Sequence, residues 1–127
     1  MSHGKFLICD DDKNVVEVLS ASGETISCGG KVMRELSPNS TDAAQEKHIP
    51  QVTVNGNIVK VDVGSVRHPM EDAHSIRWVE IVTDKGIQRK HLCANTDPVV
   101  EFALLDNEKL QEAYAYCNLH GLWMIKA

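Results

Sequence analysis

Residues 51–64 read QVTVNGNIVKVDVG. The Asn55-Gly56 pair separates two short runs, and in the second run Val59, Val61 and Val63 alternate with Lys60 and Asp62. Successive side chains of a strand point to opposite faces, so this alternation predicts a hairpin with one face in a core and one in water. The pattern recurs downstream. SIRWVEIVTDKGIQRKHL (75–92) holds two strand-like runs around Asp84-Lys85-Gly86, and PVVEFALL (98–105) and LQEAYAYC (110–117) follow across DNEK (106–109). No amphipathic stretch between them is long enough for the helix that joins parallel strands. The expectation is an all-β chain whose main unit is an antiparallel β-sandwich.

Upstream, residues 1–36 read as a separate small β-rich unit. KFLIC and NVVEVLS are strand-like, ASGE is a turn, and TISCGGKVMREL returns to strand character. A piece this short buries little apolar surface and needs a metal, a partner or a second copy to hold it. SPNSTDAAQ (37–45) is polar, contains proline and serine, and reads as a linker to a second unit over 46–127.

Composition narrows the function classes. The chain has 127 residues, with 43% hydrophobic and 24% charged, which suits a folded protein and not a disordered one. Thirteen basic against eighteen acidic residues give a net charge of −5, and there is no basic stripe to meet nucleic-acid phosphates. No apolar run approaches the roughly 18 residues of a membrane span, and the opening MSHGKFLICDDDKN lacks the apolar core of a secretion signal. A cytoplasmic location is the expectation. In that reducing setting the four cysteines, Cys9, Cys28, Cys93 and Cys117, are expected as metal ligands or free thiols before disulfides.

Five residues of the second unit stand out as ligands: His48, His68, His74, Cys117 and His120. Each falls in a turn or at a strand boundary, where loops of a sandwich can assemble a site on a rigid frame. Each alone has an ordinary explanation. A histidine beside a proline, as in His68-Pro69, is commonly a turn residue, and the spacing of His68 and His74 is weak by itself. Cys117 and His120, three apart, are more specific, because thiolate and imidazole together are metal ligands. His3, His91 and Cys93 lack such company and are read as ordinary side chains. Five donors exceed the four of a closed tetrahedral zinc site, and imidazoles with one sulfur suit iron or copper. Five donors also leave one position for a small substrate.

EKHIP (46–50), GSVRHPMEDAH (64–74), WVEIVTDKG (78–86) and YCNLHGLW (116–123) together resemble the superoxide reductases, the desulfoferrodoxin and neelaredoxin family. The likeness runs from about residue 42 to residue 124, with the motifs in order. It implies an immunoglobulin-like β-sandwich around one mononuclear iron, Fe2+ or Fe3+. His48, His68, His74 and His120 would be its equatorial ligands and Cys117 the axial thiolate. The implied reaction is one-electron reduction of superoxide to hydrogen peroxide, with electrons from a rubredoxin-like donor, in a homodimer. Lys47 would attract superoxide against the overall negative charge. Glu46 would take the sixth position on oxidised iron and leave on reduction. The backbone N–H groups of Leu119 and His120 would donate to the Cys117 sulfur, with Gly121 permitting the turn. Trp78, Tyr116 and Trp123 would be core or pocket walls.

The first unit resembles the desulforedoxin-like domain of longer members, which hold a second iron on four cysteines. Here only Cys9 and Cys28 remain, with Asp12 and Gly29 at the other two positions, so a tetrathiolate site is not expected. Two other classes fit parts of the pattern. A non-catalytic metal-binding module could use the same histidines without an open position. A cupredoxin-like electron carrier could use Cys117, His120 and Met124, but it leaves three histidines unexplained.

Overall fold

A computed structural model of the chain describes residues 5–11 and 13–127. His3 and Asp12 therefore lie outside the described residues. The chain divides into two compact units, Met1–Ser37 and Pro38–Ala127.

In the first unit, β1 (Lys5–Ile8) pairs with β2 (Val15–Val18) and with β5 (Arg34–Glu35), both antiparallel. Two-residue strands β3 (Ser27–Cys28) and β4 (Lys31–Val32) form a separate ribbon. Phe6, Ile8, Cys9 and Leu36 are its buried apolar residues among those described. Leu19 and Val32 are 86% and 65% exposed. Arg34 holds Asp10 from one edge with Nε and Nη2, and this guanidinium keeps the Asp10 carboxyl below its usual range.

The second unit is a sandwich of two antiparallel sheets. A single helical turn, α1 (Gln45–His48), leads into the hairpin of β6 (Pro50–Asn55) and β7 (Ile58–Val63). The register runs from Pro50 opposite Val63 to Asn55 opposite Ile58, so the central turn residues are Gly56 and Asn57. Gly56 has φ 60, the arrangement in which glycine leads the pair. β8 (Ile76–Thr83), β9 (Gly86–His91), β10 (Val99–Ala103), β11 (Leu110–Cys117) and β12 (Gly121–Lys126) complete the unit. One sheet has the order β10-β7-β6 and the other β12-β11-β8-β9.

The alternating valines face inward as the sequence predicts. Val59, Val61 and Val63 are fully buried and join Val79, Ile81, Phe102, Ala113, Ala115 and Cys117 in one core. Burying such side chains stabilises the fold by about 1.5–3 kcal/mol each before conformational entropy is subtracted. β8 differs from the hairpin, because Trp78, Glu80 and Val82 on its second face are buried as well. The buried Glu80 carboxylate is met by Arg89 Nη1 at 2.9 Å, from the directly opposed residue of β9.

The polar stretch before α1 is bonded to this unit. Asn39 donates its N–H to the Leu122 carbonyl at 3.0 Å and its side-chain amide to the Met124 carbonyl at 3.0 Å, and it accepts the Met124 N–H at 2.8 Å. It thereby occupies backbone groups on the free edge of β12.

Candidate metal centre

The loops at one end of the sandwich bring together all five residues singled out above. One ligand atom from each of His48, His68, His74, Cys117 and His120 lies within 4.8 Å of all the others. His48 closes α1, His68 and His74 lie on the connection from β7 to β8, and Cys117 and His120 flank the turn from β11 to β12. Among the described residues no other group of three or more His, Cys, Asp or Glu is so placed. His91 is exposed on β9, and Cys9, Cys28 and Cys93 lie outside the cluster and are in no disulfide.

Hydrogen bonds decide which nitrogen each ring offers. His48 Nδ1–H donates to the Ala44 carbonyl at 2.7 Å and His68 Nδ1–H to the Pro69 carbonyl at 2.6 Å. Both rings therefore turn an Nε2 lone pair inward, and these two nitrogens face each other at 3.1 Å. His120 points the other way round, with Nδ1 at 3.1 Å from His48 Nε2 and 3.9 Å from Cys117 Sγ. His74 Nε2 is buried with no hydrogen-bond partner. Neighbouring rings stand edge to face, with centroids 4.6–5.1 Å apart.

The electrostatics keep the set ready for a cation. Burial lowers the pKa of His48, His68 and His74, taking His68 to about 4, so these rings are neutral at physiological pH. The Ala44 and Pro69 bonds oppose that shift but do not cancel it. Burial pushes the Cys117 thiol up, while the backbone N–H groups of His120 and Leu119 donate to the sulfur and favour thiolate. Lone pairs converging on one point, an orphaned buried nitrogen and a sulfur at the end of the core are what a bound cation would satisfy. Four imidazoles and one thiolate fit one iron.

Three supporting contacts escape a reading of the ligands alone. Trp123, on β12, stacks on the His48 ring at 4.8 Å and donates Nε1–H to the His120 carbonyl at 3.1 Å. Asn118 accepts the Ser75 N–H at 2.9 Å and donates to the Ala73 carbonyl at 2.9 Å, lashing the Cys117 turn to the loop of His74. Thr41 Oγ1 lies 3.2 Å from where a Cβ on Gly121 would stand, and Gly121 has φ 81. Tryptophan's preference for burial and an asparagine beside a ligand were visible signals, but their contacts depend on the fold. Trp78 and Tyr116 stack on each other at 5.5 Å and are buried. Side chains alternate along β12, so with Trp123 turned to His48 the copper-type ligand Met124 belongs to the opposite face.

Glu46 and Lys47 are exposed on α1, beside His48. Their charges act on the site: Glu46 favours the charged form of His48, and Lys47 disfavours it at His74.

The family model described as Desulfoferrodoxin matches residues 40–126. The chain belongs to the desulfoferrodoxin family. A desulfoferrodoxin homolog of Archaeoglobus fulgidus is 40% identical over 119 residues, covering 94% of this chain and 91% of that protein. The desulfoferrodoxin of Clostridium acetobutylicum is 42% identical over 108 residues, or 85% of this chain and 84% of that one. Among solved structures, the superoxide reductase from Treponema pallidum superposes with a TM-score of 0.81 at 42% identity, covering 99% of this chain and all of that one. The superoxide reductase of Giardia intestinalis, at 31% identity and a TM-score of 0.57, covers 65% of this chain and 97% of its own. The extra part of this desulfoferrodoxin family member relative to that protein is about a third of its length.

Proposed function

We infer that this chain is a superoxide reductase, converting superoxide to hydrogen peroxide with one electron and two protons at a single iron. The observation that carries the reading is the convergence of four imidazole nitrogens and one buried sulfur within 4.8 Å of one another. Such a set is one donor short of six, which leaves a place for a small anion. His48, His68, His74, His120 and Cys117 would hold the iron. When bound, the iron supplies the electron and regains it from a donor.

The protein's own groups do the rest. Ala44, Pro69 and Trp123 fix the rings of His48 and His68, so that they keep their lone pairs inward without rearrangement. The N–H groups of Leu119 and His120 temper the charge on the Cys117 sulfur. Lys47 places a positive charge near the open side, raising the local concentration of superoxide around a protein of net charge −5. A water held by its ammonium can pass a proton to the departing peroxide. Glu46 would supply a carboxylate to the same side.

Residues 1–36 are read as a desulforedoxin-like domain without its iron, residues 37–45 as the linker and 46–127 as the iron-binding sandwich. The exposed Leu19 and Val32 support a role for the first part in a homodimer. A cytoplasmic location, a part in detoxifying oxidative stress and electron transport from a rubredoxin-like donor complete the reading. Among the described residues no helix is long and apolar enough to cross a membrane.

Pulse-generated superoxide mixed with the reduced, iron-loaded protein tests this function. One peroxide per superoxide, with no oxygen released, is the expected result. Oxygen release in dismutase proportion would refute it.

A further inference from the structure

The turn that carries Glu46, Lys47 and His48 is seated on a second segment, residues 64–66. The Val66 N–H donates to the Glu46 carbonyl at 2.9 Å, and the Ser65 hydroxyl donates to the same oxygen at 3.3 Å. Gly64 makes room for this seat. A Cβ on Gly64 would lie 2.6 Å from the Glu46 carbonyl oxygen, 2.9 Å from the Lys47 carbonyl carbon and 3.0 Å from the Ile49 carbonyl oxygen. All three are backbone atoms, so none can swing aside as the tip of a side chain would. The φ of Gly64 lies outside the left-handed region, so space and not backbone freedom demands glycine there.

The same segment runs on to a ligand, because the His68 N–H donates to the Val63 carbonyl at 3.0 Å just upstream of the seat. On the other side, the Ile49 N–H closes α1 onto the Gln45 carbonyl at 2.9 Å. The ligand His48 is independently held by the Ala44 carbonyl and by Trp123. Glu46 and Lys47 have exposed side chains, so where they stand follows from the backbone that carries them.

We propose that Gly64 is a positioning residue for Lys47: its missing side chain sets how closely the Glu46–Lys47 backbone approaches the metal centre. This rests on the reading of Lys47 and superoxide given above. A methyl group at residue 64 pushes that backbone outward by lengthening the Val66-to-Glu46 bond. His48 stays anchored by its own two contacts. The attraction between a cation and an incoming anion falls with distance and with screening, so displacement of Lys47 slows encounter without removing the iron.

The test uses Gly64→Ala alone and combined with Lys47→Ala, in the full chain. Three quantities are read: iron per chain with the thiolate-to-iron band, the bimolecular rate with superoxide at low ionic strength, and Val66 amide exchange in the metal-free protein by NMR. The expected result is full iron content and an unchanged band, a rate lower by about fivefold, and Val66 protection lower by about tenfold. In the Lys47→Ala background the Gly64 change should slow the reaction no further, since both act through one group. Parent-like Val66 protection, or equal slowing in both backgrounds, would overturn the proposal. Loss of iron from Gly64→Ala would overturn it as well, because the seat would then serve ligand His48. Should Gly64→Ala not accumulate folded, Ser65→Ala removes one donor without adding bulk and must give the same signs at about twofold; parent-like values in both readouts would overturn the claim. A parent protein inert toward superoxide would instead sink the functional reading, a different failure from one in which the parent reacts and its variants do not differ.

Discussion

Cys9 and Cys117 are both buried, at 5% and 0% exposure, yet they sit in different kinds of interior. Around Cys117 a sandwich core ends in a ring of four histidines, and backbone N–H groups of the following turn point at its sulfur. The other buried apolar residues described in the first unit are Phe6, Ile8 and Leu36, and no histidine, cysteine or carboxylate group of ligand geometry accompanies Cys9 among the described residues. A buried thiol is by itself an inert small hydrophobe. What fits one of these to be a ligand is the company that segments from elsewhere in the sequence bring to it.

The largest expected effect sharpens that contrast directly. Cys117→Ser should abolish the thiolate-to-iron band and lower the superoxide rate by about 100-fold or more, while Cys9→Ala leaves both unchanged. Stopped-flow absorbance on the two variants checks this, and a comparable loss in Cys9→Ala would erase the distinction. Next comes packing. Phe102 is 1% exposed in the sandwich core, and Phe102→Ala should cost about 3–5 kcal/mol in denaturant unfolding of the metal-free protein.

How much of this was legible in the sequence depends on the range of the interaction. The hairpin of β6 and β7 was readable because period-two alternation is local, although the turn centres on Gly56-Asn57 and not on Asn55-Gly56. The five donors were readable because imidazole and thiolate are rare enough to notice and their motifs resemble a known family. β8 gave only half its signal, since both of its faces are buried and alternation then disappears. The four-residue α1 is too short for any helical period. Residues 37–45 carry linker composition, and nothing local announces that Asn39 bonds to Met124, 85 positions away. The contacts of Gly64 with the turn of Lys47 are hidden for the same reason.

A smaller effect concerns pH and the metal-free chain. The native pKa values of His48, His68 and His74 lie below their ordinary 6.5, with His68 at about 4. Between those values the unfolded chain binds more protons than the folded one, so stability rises with pH there. The contribution is therefore present above about pH 6.5 and is lost as pH falls toward 4. Thermal melts of metal-free protein across that window should show a falling Tm. His68→Gln should flatten the slope, and an unchanged slope would mean the rings are not neutral when folded. The smallest effect is expected at Asn39. Asn39→Gly keeps its positive φ of 60 but removes two side-chain bonds to β12, costing about 1–2 kcal/mol in the same melts.

The second unit alone is expected to carry a redox metal. Metal content per chain, taken with the visible spectrum of protein produced with iron, tests it most directly. The expected result is one iron per chain and a single thiolate-to-iron band, bleached by reductant and restored by superoxide. Two irons per chain with an added rubredoxin-like spectrum would contradict it, as would zinc or copper as the sole metal that supports reaction with superoxide.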